Sequence, residues 1–396
     1  MAITTKNKIR VTLVNSLRVN NLHGGTEKVF FEMANYLTAK GYLVDAITMD
    51  FTEGQPVFRY SNDVNYKNLC TNKFKPLWIF LFKMARLFAT LSSTKKDIRK
   101  RRRQLFELLL KAKLFGGGDL PQESVVISYQ AETTFLLKKI LKIKNPVITM
   151  LHLDPESFFQ VWDHELLKMG LESSNAVQVL MPEYEKALNK YASKVIVIPN
   201  IVPQYYNICN YNNKKIINIA RFSRDIKRQH LAVEAFLSLS KKYPEWTMEL
   251  WGDYKVDLNY FNYLTDMIKK SDYGKNVNIC GTTSDVESVL NSASIFLFPS
   301  AREGFPLALT EAMSKGLAVI GCKECPSVDG LIRNDVNGLL TKASPQDIAV
   351  ALDQLMGSVS YRERLGKMAH NDMQRYAPDI VWGQWEFLIK TISENK

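Results

Sequence analysis

The feature that most constrains this chain is a strand–helix alternation that runs, breaks and then starts again. Residues 9–15 read as a buried strand, 26–40 as a helix stopped by Gly41, and 42–49 as the next strand. Strand-like 124–129, helical 133–141 and strand-like 146–151 continue the theme. Two more apolar runs, 176–180 and 194–198, flank a helix at 183–191. The sequence Pro199-Asn-Ile-Val-Pro203 and the polar tract 207–214 then read as a linker. Beyond it the alternation resumes through 215–220, 229–242, 246–251, 260–270, 277–280, 285–291, 295–299, 306–315 and 318–321.

Alternation of this kind predicts parallel sheets with helices on both faces. At 396 residues the chain is too long for one ordinary core. The expectation is therefore two doubly wound, Rossmann-like α/β domains, 1–204 and 205–377, with ligands in the cleft at the strand C-termini. A final helix at 380–392 carries Trp382, Trp385 and Phe387, and segment 378–396 is expected to pack back onto the first domain.

Five cysteines (Cys70, Cys209, Cys280, Cys322 and Cys325) are too few and too scattered for a disulfide framework. Cys322-Lys-Glu-Cys325 has no second Cys/His pair nearby to complete a zinc site. The start, MAITTKNKIRVTLVN, lacks the apolar core of a signal peptide, and a reducing cytoplasm fits.

The net charge of +12 is concentrated between Lys67 and Lys113, where fourteen Lys/Arg stand against only Asp97 and Glu107. The same stretch holds Leu77, Phe80, Leu81, Met84, Leu87, Phe88 and Leu91 at helical spacing, broken by Lys83 and Arg86. That run is too short and too charged to span a bilayer. With Lys95, Lys96, Arg101, Arg102 and Arg103 beside it, the 75–118 insertion reads as a basic amphipathic segment for an anionic membrane surface rather than for nucleic acid. A core helix followed by a solvated basic helix is the competing reading.

Four clusters carry candidate chemistry. Arg221-Phe-Ser-Arg-Asp-Ile-Lys227-Arg228 follows a strand directly and suits a diphosphate. Gly24 and Gly25, in His23-Gly-Gly-Thr-Glu27, lie between the first strand and first helix, where free N–H groups face an anion. His152 lies just past a strand end, and the adjacent Asp154 either orients its imidazole or caps the helix that begins at Pro155. Finally, Arg302-Glu-Gly-Phe-Pro-Leu-Ala-Leu-Thr-Glu-Ala-Met-Ser-Lys-Gly316 holds Glu303 and Glu311. Pro306 suits a helix's first turn and Gly316 its end, so Glu303 falls in the preceding loop and Glu311 on the second turn.

Arg221…Lys227 followed by Glu303-x7-Glu311, with a Gly-Gly turn after the first strand, resembles the retaining glycosyltransferase family 4 of GT-B fold. Cys325-Pro-Ser-Val…Asn337-Gly-Leu-Leu340 is similar to the family's usual continuation. Leu151-His-Leu-Asp154 and Gly24-Gly25-Thr-Glu27 resemble members that assemble polysaccharide or lipopolysaccharide. The likeness runs from about residue 8 to 390, the insertion excepted.

The resemblance implies two domains facing across a cleft and retaining transfer of a sugar from a nucleotide donor, expected to be a UDP-sugar, to a glycan or lipid-linked acceptor. By position, Arg221 and Lys227 would neutralise the diphosphate. Backbone N–H groups at Gly24, Gly25 and the Gly304, Phe305 and Leu307 stretch would assist. Glu311 would hold the ribose, Glu303 the sugar hydroxyls, and His152 the sugar from the first domain. No metal and no nucleic acid is expected, and the predicted location is the inner face of the cytoplasmic membrane. A sugar-nucleotide epimerase, a glycosidase and a non-catalytic glycosyltransferase partner are the alternatives.

Overall fold

The computed structural model describes residues 8–394 apart from 18, 23, 51, 71–75, 77–79, 82–83, 85–95, 115–119 and 122. Of the expectations above, most of the apolar run at 77–91, His23 and Lys95 lie outside the described residues. The chain forms two compact units, Met1–Pro199 with Gly383–Lys396, and Asn200–Trp382.

The first unit is a sheet of β1 (Arg10–Asn15), β2 (Leu43–Thr48), β3 (Asn65–Asn68), β4 (Ser124–Ser128), β5 (Val147–Met150), β6 (Ala176–Val179) and β7 (Val195–Val197). Their order is β3-β2-β1-β4-β5-β6-β7, and the ladders are parallel. The inner strands are buried on both faces, which explains their near-continuous apolar sequences. Sequence reasoning passed over β3 because its Asn-Tyr-Lys-Asn has no apolar pattern; it is an edge strand, held partly by side chains. Asn65 Nδ2 donates to Asp45 (2.7 Å), and the Thr48 and Tyr66 hydroxyls are 3.0 Å apart.

The predicted helix at 133–141 is Ala131–Phe135 continued by one wide turn, Leu136–Ile140. The basic segment forms the helix Lys96–Leu114. Its buried side carries Gln104 and Leu108, and Leu108 joins a core with Val14, Ile47, Val126 and Phe135. The last helix runs from Pro378 to Glu394, and its part from Gly383 onward belongs to the first unit. There Trp385 and Ile389 are buried and Glu386 accepts a hydrogen bond from the Tyr36 hydroxyl at 2.7 Å.

The second unit repeats the design with β8 (Lys215–Ile219), β9 (Thr247–Trp251), β10 (Val277–Gly281), β11 (Ile295–Phe298), β12 (Ala318–Cys322) and β13 (Leu339–Thr341). The order is β10-β9-β8-β11-β12-β13, again parallel. Phe236, Trp246, Met248, Leu250, Ile295, Leu297 and Leu352 fill its core. Arg362, almost fully buried, donates to Tyr211 O at 2.6 and 3.0 Å and lies 5.0 Å from the Trp246 ring. These bonds satisfy a cation that burial would otherwise penalise by several kcal/mol. Among the described residues, no helix is long and apolar enough to cross a membrane.

Candidate functional site

In each sheet the strand order turns back at one point, between β1 and β4 in the first unit and between β8 and β11 in the second. Open parallel sheets bind ligands beyond the carboxyl ends of the strands at such points. The basic loop follows β8, and the loop carrying Glu303 follows β11. The chain order therefore delivers cations and carboxylate to the same crevice of the second unit.

Within that crevice the four cations part company. Lys227 Nζ forms an ion pair with Glu303 Oε1, the two side chains being only 14% and 12% exposed. Arg224 lies over the Tyr263 ring, 4.6 Å from its centroid. Arg228 adopts a left-handed conformation, φ 52°, to start the helix Gln229–Leu239. Arg221 stays exposed.

The loops are fastened together as well as placed. Ala301 N donates to Ile226 O (2.7 Å) and Ser327 Oγ to Glu303 O (3.1 Å). Gln229 Nε2 donates to Arg221 O at 3.0 Å. Beside the loop, Gly252 has φ +148°, and a Cβ there would sit 2.0 Å from Ala220 O. Only glycine fits so close a backbone approach.

The helix after Glu303 begins one residue later than the sequence suggests. Pro306, at φ −78° and ψ 79°, is the cap, and the helix is Leu307–Ser314. Leu307 N donates to Phe305 O at 2.9 Å, so its N–H is not free for a ligand as expected. Gly304 and Phe305 are buried, Phe305 meeting Tyr376 edge-on with ring centres 5.5 Å apart. Glu311 is 9% exposed, on the second turn of the helix. The Tyr205 phenol senses its charge: burial first, then Glu311, Glu287 and Asp285, raise its pKa above the usual phenol range. Gly316, at φ +79°, ends the helix as its residue type suggests.

The other candidates lie in the first unit. Gly24 caps the helix Gly25–Ala39, with its O accepting from Lys28 N (3.1 Å). The Glu27 carboxylate occupies the space a Cβ on Gly24 would take, 2.1 Å from that position. A carboxylate of the protein itself therefore lies against Gly24 at this helix start.

His152 stacks on the buried Tyr129 ring, with centroids 5.1 Å apart at 23°. Its Nε2 is sealed from solvent and has no hydrogen-bond partner among the described residues. Burial lowers its pKa to about 4, so the ring is neutral at physiological pH. Asp154 is a helix cap, accepting from Ser157 N at 2.9 Å, which settles its two sequence readings.

Arg101, Arg102 and Arg103 are exposed on the basic helix. Arg101 Nε also pairs with the buried Asp163 at 2.9 Å, and Lys100 Nζ caps the carbonyls of Gln160 and Trp162. Exposed Ile98, Phe106 and Leu109 share this helix, and Lys96 lies in its first turn. Cys322 and Cys325 are buried thiols.

Sequence reasoning missed Ser327, Gln229 and Tyr205. Ser327 was in view within Cys325-Pro-Ser; Gln229 bonds the carbonyl of Arg221 only eight residues earlier, and for Tyr205 no local pattern shows that Glu311 lies near it.

Residues 209–372 match the family model described as glycosyl transferases group 1. Most of the chain superimposes on a mutant of S. aureus TarM solved with fondaparinux, α-GlcNAc-glycerol and UDP. The TM-score is 0.72 at 15% identity, over 96% of this chain and 99% of that one. The fold is that of a GT-B glycosyltransferase. An uncharacterized glycosyltransferase of Haemophilus influenzae is 22% identical over 92% of this chain and 96% of its own length. The capsular polysaccharide biosynthesis glycosyltransferase CapM of Staphylococcus aureus is 24% identical over 59% of this chain and 58% of its own. The match to the family model covers both halves of the crevice in the second unit, from the loop after β8 to the helix after β11.

Proposed function

We propose that this chain is a retaining glycosyltransferase of family 4. It moves a sugar from a UDP-sugar to a hydroxyl of a glycan or lipid-linked acceptor in cell-surface polysaccharide or lipopolysaccharide biosynthesis. The observation that carries this reading is the Lys227–Glu303 pair at the β8/β11 switch point. A diphosphate needs the cation and a sugar needs the carboxylate, and here one crevice holds both.

In this reading Arg221 and Lys227 stabilise the negative charge that builds on the departing diphosphate, the main electrostatic demand of the step. Those two cations supply it without a metal ion, so transfer should survive chelation. Glu303 accepts hydrogen bonds from sugar hydroxyls, and Glu311 accepts them from the ribose. The acceptor hydroxyl attacks the face that the diphosphate leaves. The anomeric carbon–oxygen bond to phosphate breaks, the new glycosidic bond forms, and the released phosphate takes the proton. His152, neutral and stacked on Tyr129, contacts the sugar from the first unit, aided by the backbone at Gly24 and Gly25.

The basic helix Lys96–Leu114 supports peripheral attachment to the inner face of the cytoplasmic membrane, through Arg102, Arg103, Lys95 and Lys96 with Ile98, Phe106 and Leu109 as apolar contacts. Arg101 adds charge there while holding Asp163.

Incubation with a panel of UDP- and GDP-sugars and lipid-linked glycans tests the activity. Free UDP with an α-linked product from an α-linked donor supports it. An inverted product removes the retaining assignment, and an isomerised donor without transfer points to an epimerase instead.

A further inference from the structure

The helix Leu307–Ser314 ends on a buried cation that the transfer step leaves unused. Lys315 follows its last residue, with a side chain only 1% exposed. Its Nζ donates to Glu287 Oε1 at 3.0 Å and lies 4.6 Å from the centroid of the Tyr205 ring. Glu287 stands in the first turn of the helix Val286–Asn291, after β10, and Tyr205 in the segment that precedes β8. One ammonium therefore joins three stretches of the second unit that are distant in sequence.

The contacts gather on one side of the helix. Lys315 N still donates to Glu311 O, at 2.9 Å, so the helical spacing runs through to Lys315. Glu311, Ser314 and Lys315 then stand at i, i+3 and i+4 and share a face. Ser314 Oγ donates to Pro203 O, Cys209 N to Lys315 O at 2.9 Å, and Cys209 Sγ to Gly316 O at 3.3 Å. Segment 203–209 is thus laced to this end of the helix, and Tyr205 is set down on the face that carries Glu311. The raised pKa of the Tyr205 phenol agrees with that placement: burial contributes most, then Glu311, Glu287 and Asp285.

Lysine is almost never so deeply buried unless it is paired. Here the pair is lopsided, because the Glu287 side chain is 56% exposed. An ion pair with one end in water contributes little to stability. What the contact secures is position: the direction of the Glu287 carboxylate and the tilt of the Tyr205 ring, which a cation over its face also attracts. Lys315 itself is too enclosed to touch a nucleotide, so it acts through these two neighbours.

We propose that Lys315 is a positioning residue for the nucleoside end of the donor, holding Tyr205 and Glu287 beside Glu311 so that the ribose is met in one orientation. The assignment rests on the reading of Glu311 as the ribose acceptor. The diphosphate end is held by other residues, Arg221 and Lys227, and should not feel the change.

The test sets UDP against inorganic pyrophosphate, which keeps the diphosphate and lacks the nucleoside. Calorimetry on the full chain, with pyrophosphate measured by competition, should show UDP binding about tenfold weaker in Lys315→Met and pyrophosphate binding within about twofold of wild type. Lys315→Arg keeps a cation for Glu287 and the ring and should recover most of the UDP affinity. Glu287→Gln and Tyr205→Leu change less enclosed positions and decide the matter if Lys315→Met does not fold. Each should lower the ratio of UDP to pyrophosphate affinity at least about threefold. In turnover of the UDP-sugar, KM should rise by more than kcat falls. Equal weakening of both probes, or a wild-type ratio in every folded variant, would overturn the inference and leave Lys315 a staple of the fold. A wild type that binds neither probe would instead overturn the donor reading, and this assignment with it.

Discussion

Replacing Glu303 by Gln should tighten the binding of UDP, although the same change should cripple sugar transfer. Glu303 neutralises Lys227, both side chains being largely shielded. Two unit charges about 4 Å apart near a protein surface attract by about 4 kcal/mol. A diphosphate must compete with that attraction for the same ammonium. Water at this crevice and the hydrogen bond an amide retains to Lys227 leave a smaller gain, about 1 kcal/mol, or roughly fivefold in Kd. Lys227→Met works in the opposite direction, losing a charge-assisted bond of about 1.5–3 kcal/mol, roughly 10- to 100-fold in Kd. Calorimetric titration with UDP reads both, and thermal unfolding confirms that the variants are folded. Turnover of the UDP-sugar should fall by at least about 100-fold in each, because Glu303 orients the sugar and Lys227 stabilises the leaving group. Equal weakening of UDP binding in the two variants would show that Glu303 does not compete for Lys227, and the reasoning would fail.

Three further outcomes follow from other parts of the molecule. Because burial lowers the His152 pKa to about 4, the folded state binds fewer protons than the unfolded chain between about pH 4 and 6.5. Stability should therefore fall by about 2–3 kcal/mol as pH drops through that window, and His152→Gln should flatten that part of a urea-denaturation profile; an unchanged slope refutes the assignment. Asp163 accepts from Glu165 N and Leu166 N and pairs with Arg101, so Asp163→Ala should cost about 1–2 kcal/mol in urea unfolding, and a neutral result would show that the cap contributes nothing. Arg102→Glu/Arg103→Glu should reduce binding to phosphatidylglycerol vesicles at least tenfold while leaving UDP affinity unaltered; undiminished vesicle binding would make the basic helix a solvated face.

Much of the fold was legible because the information was local. Strands buried on both faces must be continuous apolar runs, and amphipathic helices must repeat at 3.6 residues, so alternation alone implied two parallel sheets. Gly316 likewise announces the left-handed residue that ends a helix, at φ +79°. The edge strand β3 had no such signature, since an exposed edge asks little of its side chains. The start of the helix after Glu303 was off by one because Pro306 suits both the cap and the first turn, and only its backbone angles separate the two.

What residue type and spacing determined by themselves was the roster of charges after β8 and β11 and the division between Glu303 and Glu311. What only the tertiary structure decided was partnership. Of four neighbouring cations, Arg228 became a helix cap, whereas Arg224 turned to Tyr263 and Lys227 to Glu303, partners 39 and 76 residues away. Glu132 shows the same limit more sharply. Nothing around it in the chain marks it, and it stands out only because folding sealed both its oxygens from water with no partner from another residue among those described. Burial and pairing depend on which distant segments the sheet order brings together, and no local pattern encodes that.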